Sequence, residues 1–250
     1  MRIIVTEPKG TFIKSLPLQS SELPTESKAY AGLNNSFDIK GLVEEDQHYK
    51  VDFNVPRLEK SHSYFYKKHV KLDPSNGLPE YVNLDIPYSS QRDNTRDPYR
   101  TCNVTSVAMC LNYLGQQSKN SAEQLEDELD RYVASKGWSR YTHDHLARLV
   151  QHYGYKDTFI VNASYKQIKN HLATGYPVIT AGMFTRSGHI IVLRGFNERE
   201  KCFYVNDPFG EWFATGYQNK SGENLKYSYN MIQRLSMAGT GAAWAHFIYN

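Results

Sequence analysis

Cys102, His189 and Asp207 are the residues of this sequence whose types and order could together break an amide bond. In that chemistry a thiolate attacks the carbonyl carbon, an imidazole manages the proton, and a carboxylate holds the ring and its tautomer. Cys102 follows the polar stretch QRDNTRDPYRT and opens CNVTSVAMCLNYLG, where Val104, Val107, Ala108, Leu111 and Leu114 recur at helical spacing. A cysteine in a first helical turn meets unpaired backbone N–H groups and the positive end of the helix dipole, which both favour thiolate. Taken alone, Cys102 fits a buried structural thiol as well as a nucleophile. Cys110 lies eight residues further along the same helix, about 12 Å away at ~1.5 Å per residue, too far for a disulfide with Cys102. It and Cys202, which begins a strand among aromatics, read as small core side chains. Three cysteines without CxxC spacing fit neither a disulfide framework nor a zinc site.

The segment SGHIIVLRGFNEREKCFYVNDPFG reads as two strands joined by a polar turn near residues 197–200. Paired as an antiparallel hairpin, they would bring His189 nearly opposite Asp207 at the open end. Singly, each has a blander reading: His189 as a strand-end histidine bonding backbone, Asp207 as a turn carboxylate before Pro208.

The elements that must position these residues follow from patterning. After residue 83, SAEQLEDELDRYV opens with a Ser121/Gln124 capping box, Thr142 can cap HDHLARLVQHYG, and Ser164 can cap YKQIKNHLATG. Gly115 suits a helix C-cap. The strand-like PVITAGMF, HIIVLRGF, CFYVND and AAWAHFIYN complete an α+β layout, helices first and antiparallel strands after. Residues 11–72 instead read as five short strands, TFIKSL, KAYAG, SFDIKGLVEE, HYKVDF and SYFYKKHVKL. Tyr49, Val51 and Phe53 alternate there with His48, Lys50 and Asp52. Five strands in so short a span predict a small β-barrel over residues 1–74. LDPSNGLPEYVN predicts a linker at 75–83, leaving 84–250 as the α+β domain.

Over residues 84–215 the sequence resembles the C39-like branch of the papain-like cysteine peptidases. The resemblance rests on LDIPYSSQRDNTRDPYRTCNVTSVAMCLNYLG, on GYPVIT followed by GHIIVLRGFN, and on YVNDPFGEW. It implies a papain-like fold with Cys102 as nucleophile, His189 as general base and Asp207 as orienting acid. Gln91 then supplies a side-chain amide to an oxyanion hole shared with the backbone N–H of Cys102. Asn206 is the alternative orienter; strand parity turns it away from the face of Asp207, so only one of the two can point at His189. Asn103 and Val104 stand where family members often have Gly-Pro, so no substrate preference carries over from those members. Residues 8–72 resemble a bacterial SH3-like domain found beside cell-wall hydrolases. Tyr64, Phe65 and Tyr66 would then either bind a cell-wall ligand or pack into the module's own core. Together the two resemblances imply a phage-type endolysin cleaving peptidoglycan peptides. The rivals are a cysteine protease with a protein substrate and a catalytically inactive papain-like binding protein.

Composition narrows the partners. A formal charge of +3 spread over 250 residues, with Lys and Arg scattered, gives no nucleic-acid footprint. No apolar run approaches the roughly 20 residues of a membrane span, and no signal peptide is legible at the N-terminus. The expectation is therefore synthesis in the cytosol and, for a lysin, action at the cell wall. Nineteen tyrosines predict broad half-buried sheet surfaces. No cofactor or metal is expected: His143, His145 and His152 lack HExxH spacing and read as a solvated helix face. QRDNTRD lacks a calcium loop's closing Glu. MAGTGAA, at 237–243, lacks the helix a phosphate loop needs.

Overall fold

Strand-forming residues dominate the N-terminal third, interrupted only by short 3-10 turns, and α-helices enter only after residue 101. The structure is a computed structural model describing residues 1–58, 60–218, 221–237 and 242–250. Seven strands come first: β1 (Arg2–Val5), β2 (Thr11–Lys14), β3 (Lys28–Ala31), β4 (Ser36–Glu45), β5 (His48–Arg57), β6 (Lys60–Tyr66) and β7 (Val70–Asp73). A short β8 (Tyr81–Asn83) leads to the helices α1 (Cys102–Tyr113), α2 (Leu125–Ser135) and α3 (His143–His152). Then follow β9 (Lys156–Ala163), α4 (Tyr165–Ala173), β10 (Val178–Gly182), β11 (His189–Asn197) and β12 (Cys202–Asn206). The chain ends with β13 (Trp212–Phe213), β14 (Gly216–Tyr217), β15 (Leu225–Ser228), α5 (Tyr229–Ser236) and β16 (Ala243–Tyr249). This is a mixed α+β fold with a large, mostly antiparallel sheet. Residues 238–241 of the MAGTGAA segment lie outside the described residues.

The expected N-terminal barrel is not closed among the described residues. The strands run in the order β3-β2-β6-β5-β4-β1-β7, with β3 and β7 each paired on one side only. The reason lies in β4, ten residues long and bulged between Ile39 and Gly41. Its first residues pair with β1 (Ile3↔Phe37), and after the bulge it pairs in parallel with β8 (Leu42↔Val82). β1 was not legible: four residues, RIIV, carry too little period to announce a strand. Phe65 is buried in the core against Phe37 and Phe53, and Tyr64 is buried on the other face of the strand against His48 and Lys50.

Residues 75–83, expected as a linker, include β8, and β8 joins the two halves. Its other edge pairs antiparallel with β11 (Phe196↔Val82). The sheet therefore continues β4-β8-β11-β10-β16-β9, with β12 and β15 added beyond β11. The approach at β8 requires glycine: a Cβ on Gly195 would lie 2.0 Å from the Val82 carbonyl oxygen.

Helix α1 packs on β11 and is buried over Asn103–Leu111, while Cys110 and Cys202 are core residues. It ends as expected at Gly115, whose positive φ lets Gln116 N–H reach the Leu111 carbonyl and Gly115 N–H the Asn112 carbonyl. Ser164 and Gln167 form a capping box at α4. The Ser121/Gln124 box does not form. Ser118 and Asn120 hold that segment as a turn through Glu128 and Ala122, and the helix begins later, at Leu125. Thr142 sits at the N-cap of α3 without donating or accepting a capping bond.

Candidate active site

Three local features converge at the C-terminal sheet. Cys102 is the first residue of α1, the N-cap Thr101 makes no side-chain cap, and within the first turn Val104 N–H donates to Asn103 Oδ1 (2.9 Å). One turn on, Ser106 Oγ donates to the Ile190 carbonyl (3.3 Å), fixing the helix against the start of β11. His189 is the first residue of β11 and pairs with Gly182 at the end of β10.

Asp207 follows β12 directly. Extending the Val192↔Asn206 register brings Phe209, not Asp207, opposite His189, an offset of two residues from the simple hairpin expectation. A bulge between Leu193 and Gly195 shifts the register, and a turn closed by Gly210 N–H on the Asp207 carbonyl bends the chain. The side chains still meet: His189 Nε2 lies 2.7 Å from Asp207 Oδ1. Nδ1 is the ring nitrogen left for Cys102, with which His189 shares a hydrogen bond.

Asn206, the alternative orienter, has its hydrogen bonds elsewhere than His189. Its Oδ1 accepts from Arg194 (3.2 Å) and from Asn224 N–H (2.9 Å), and its Nδ2 donates to the Ile86 carbonyl (2.9 Å). It ties β12 to the segment after β8.

Asp207 has no exposure, and its oxygens are filled. Oδ1 also accepts from Phe209 N–H (3.0 Å), while Oδ2 accepts from the Tyr217 (2.9 Å) and Tyr227 (3.0 Å) hydroxyls. Both phenols are pushed far up, first by burial and then by the Asp207 charge, so they remain donors. Tyr227 is itself held by Trp212 N–H. Phe209 and Tyr217 stand edge-on to the His189 ring, and Arg92 covers Phe209. Sequence reasoning missed these residues. The high tyrosine count was the available signal, but it pointed to sheet surface rather than to buried donors.

Electrostatically the site favours an ion pair. Burial opposes the His189 imidazolium, but the Asp207 carboxylate and then the Cys102 thiolate raise it to about 10. Burial likewise opposes the Cys102 thiolate; the His189 charge and hydrogen bond, with the Ile190 N–H, outweigh this and lower the thiol. Asp207 opposes that lowering. The nucleophilic form therefore persists as pH falls, until the folded thiol's depressed pKa is reached. Iodoacetamide is expected to alkylate Cys102 rapidly at pH 6, where an ordinary cysteine is roughly 0.3% thiolate. His189→Ala removes the principal lowering cause, so the pH 6 rate should fall at least ~10-fold. A wild-type profile matching that of a free thiol would remove the ion pair.

Gln91 is buried and lines the same cleft. Its backbone N–H donates to the Pro208 carbonyl and its Nε2 to the Pro98 carbonyl (both 2.8 Å). That leaves the second Nε2 hydrogen for another acceptor. The cleft has a volume of about 1030 Å³. Its rim carries the exposed side chains of Tyr99, Tyr141, Met183 and Trp244.

The three histidines of α3 do not form one solvated face: His143 and His145 are half-buried, His145 accepting from Ser139 N–H and stacking on Trp138, while His152 is exposed and stacks on Tyr132. His143 faces the cleft and hydrogen-bonds His246. In QRDNTRD, Asp97 pairs with Arg140 and Asn94 bonds Thr105.

Comparison with known proteins bears on this geometry. No curated protein matches the chain. A crystal structure from Bacillus anthracis described as a C39-like peptidase aligns at 19% identity and TM-score 0.49, covering 68% of this chain and 98% of that one. A double glycine motif protease from an AMS/PCAT transporter, solved with its leader peptide, aligns at 20% identity and TM-score 0.43, covering 67% and 93%. Xylellain, a cysteine protease from Xylella fastidiosa, aligns at 13% identity and TM-score 0.40, covering 72% and 90%. The profile of the Peptidase_C39 like family matches residues 83–237, more than half of the sequence, and the chain belongs to that family of cysteine peptidases.

Proposed function

We propose that the chain is a thiol-dependent amide hydrolase in which Cys102 is the nucleophile, His189 the acid–base and Asp207 the residue that orients it. The observation carrying this reading is the continuous set of contacts from Cys102 through the His189 ring to a fully buried, fully bonded Asp207. The Cys102 thiolate adds to the carbonyl carbon, and the electron pair moves to the carbonyl oxygen. The Cys102 backbone N–H and the free Nε2 hydrogen of Gln91 are the donors available for that oxyanion. As the C–N bond breaks, the imidazolium gives its proton to the departing amine, leaving a thioester. Water, deprotonated by His189 Nδ1, then attacks the thioester, frees the acid and releases the sulfur as thiolate, restoring the thiolate–imidazolium pair. Asp207 holds Nε2 throughout, so Nδ1 keeps facing the sulfur.

For the substrate, the reading is the peptide of peptidoglycan, cleaved by a phage-type endolysin. Its support is the sequence of residues 8–72, which resembles wall-associated SH3-like domains although its strands do not close into a barrel, an associational argument. The experiment is zymography on purified peptidoglycan with mass spectrometry of released products, wild type beside Cys102→Ala. Lysis by the wild type alone, with new amine and carboxyl ends, is the expected result. Cleavage of ordinary peptides without lysis moves the substrate to proteins. No cleavage of either, with Cys102 no more reactive than a free thiol, makes the domain a binding protein.

A further inference from the structure

A second hydrogen-bonded histidine system opens on the same cleft. Asp157 on β9 and His246 on β16 are almost wholly buried, and His246 Nδ1 lies 2.8 Å from Asp157 Oδ2. His246 Nε2 lies 2.9 Å from Nδ1 of His143, the first residue of α3. The His143 ring stacks on Phe159 at 4.4 Å and meets Trp244 edge-on at 5.1 Å, so both its position and its plane are fixed. With both imidazoles neutral, one arrangement of hydrogens satisfies both contacts. A carboxylate only accepts, so His246 carries hydrogen on Nδ1, which leaves its Nε2 as an acceptor. His143 must then donate from Nδ1, and its Nε2 is left as an unprotonated lone pair. Burial first, and then the neighbouring His246, lower His143 to about 4, so the neutral ring is the form present near neutrality. Among the described residues no other hydrogen bond occupies the His143 ring.

We propose that His143 is a specificity-determining residue whose Nε2 accepts a hydrogen bond from an N–H group of the substrate, its tautomer set by the buried Asp157–His246 pair. This rests on the reading of the cleft as an amide-cleaving site. Its place relative to the scissile bond follows from the sheet. His189 is on β11, and the strand order runs β11-β10-β16-β9. His143 lies over β16 and β9, two to three strands across from β11 and three residues along, since His189 pairs with Gly182 and His246 with Ile179, a separation of about 14–17 Å at ~4.8 Å per strand and ~3.3 Å per residue. An extended chain advances ~3.3 Å per residue, so the group met by His143 is about four to five residues from the bond cut. The donor is a backbone amide or a free amine at that position.

The test uses the full chain labelled with 15N-histidine, titrated by NMR with hexaalanine, long enough to span the cleft, carrying a free or an N-acetylated N-terminus. The expected result is a His143 Nε2 resonance of the unprotonated type that moves on addition of peptide. Movement with both peptides identifies the amide, and movement with the free peptide alone identifies the amine. A protonated Nε2, or one that neither peptide moves, overturns the proposal. In turnover, His143→Phe keeps the stack on Phe159 and removes the acceptor. It should raise KM about 10-fold with kcat and the iodoacetamide rate of Cys102 unchanged. An unchanged KM overturns the proposal as well. Failure of the amide-cleaving reading would show separately, as slow Cys102 alkylation in the wild type, and the NMR titration would still decide the role of His143.

Discussion

Replacing Asp207 by alanine is expected to lower kcat/KM by about three to four orders of magnitude and to destabilise the fold. The catalytic loss follows from the ring. Without a carboxylate on Nε2, His189 loses the partner that fixes its orientation and the largest cause of its raised pKa. It then holds its proton less well, and the Cys102 thiolate loses its counter-charge. The structural loss follows from the donors left behind. Tyr217, Tyr227 and Phe209 N–H all end on the fully buried Asp207, and truncation strands them together. Breaking a buried charged network of this kind costs about 3–5 kcal/mol. In a chain of this size that lowers Tm on the order of 10 °C. Activity on the proposed substrate and thermal melting of Asp207→Ala measure the two parts. Retention of kcat/KM within tenfold would sink the orienting role. Asn206→Ala is the control: its bonds go to Arg194, Asn224 and Ile86, so it should destabilise without shifting the Cys102 alkylation profile.

The second large effect is expected far from the thiol. Gly195→Ala places a Cβ 2.0 Å from the Val82 carbonyl oxygen and 2.8 Å from the Asn83 Cα, both backbone atoms. Neither can rotate away as a side-chain end can, so β8 must move off β11. Overpacking of this severity costs about 3 kcal/mol or more, lowering Tm on the order of 10 °C. Two further bonds connect the same joint, from Leu84 N–H to the Arg194 carbonyl and from Arg194 Nε to the Leu84 carbonyl. Loss of register at Gly195 would therefore loosen the segment that leads to Gln91. Circular dichroism melting measures the effect, and a Tm within 2 °C of wild type would show that the strands part without penalty.

What could be read from the residues was local. The helix opening at Cys102 has apolar spacing and a terminal glycine within fourteen residues, and the β11–β12 hairpin has its strands and turn in one short run. The structure brings Cys102, His189 and Asp207 together through those two units. What could not be read depends on distant partners. Strands β1 and β8 are four and three residues long and become strands only because β4 and β11 offer edges. His143 carries no spacing signal because its partners, His246 and Asp157, belong to other strands, with His246 at the far end of the chain. Tyr217 and Tyr227 are drawn to Asp207 by a carboxylate whose burial no sequence pattern announces. The closed barrel failed for a related reason: the five expected strands became seven, with RIIV added as β1 and SYFYKKHVKL divided into β6 and β7, and patterning does not say which partner each will choose.

The strand β8 also sets a timetable. Its parallel partner Leu42 has already been made when Val82 emerges from the ribosome, but its antiparallel partner Phe196 follows roughly 110 residues later. At ~5–20 residues per second, on the order of 5–20 s pass during synthesis with one face of β8 unpaired. An open strand edge on a nascent chain is a template for neighbouring chains on the same message. The shortness of β8, three residues, keeps that template small. The strand that joins the two halves is thus also the one whose pairing must wait longest, and its length limits what it can capture meanwhile.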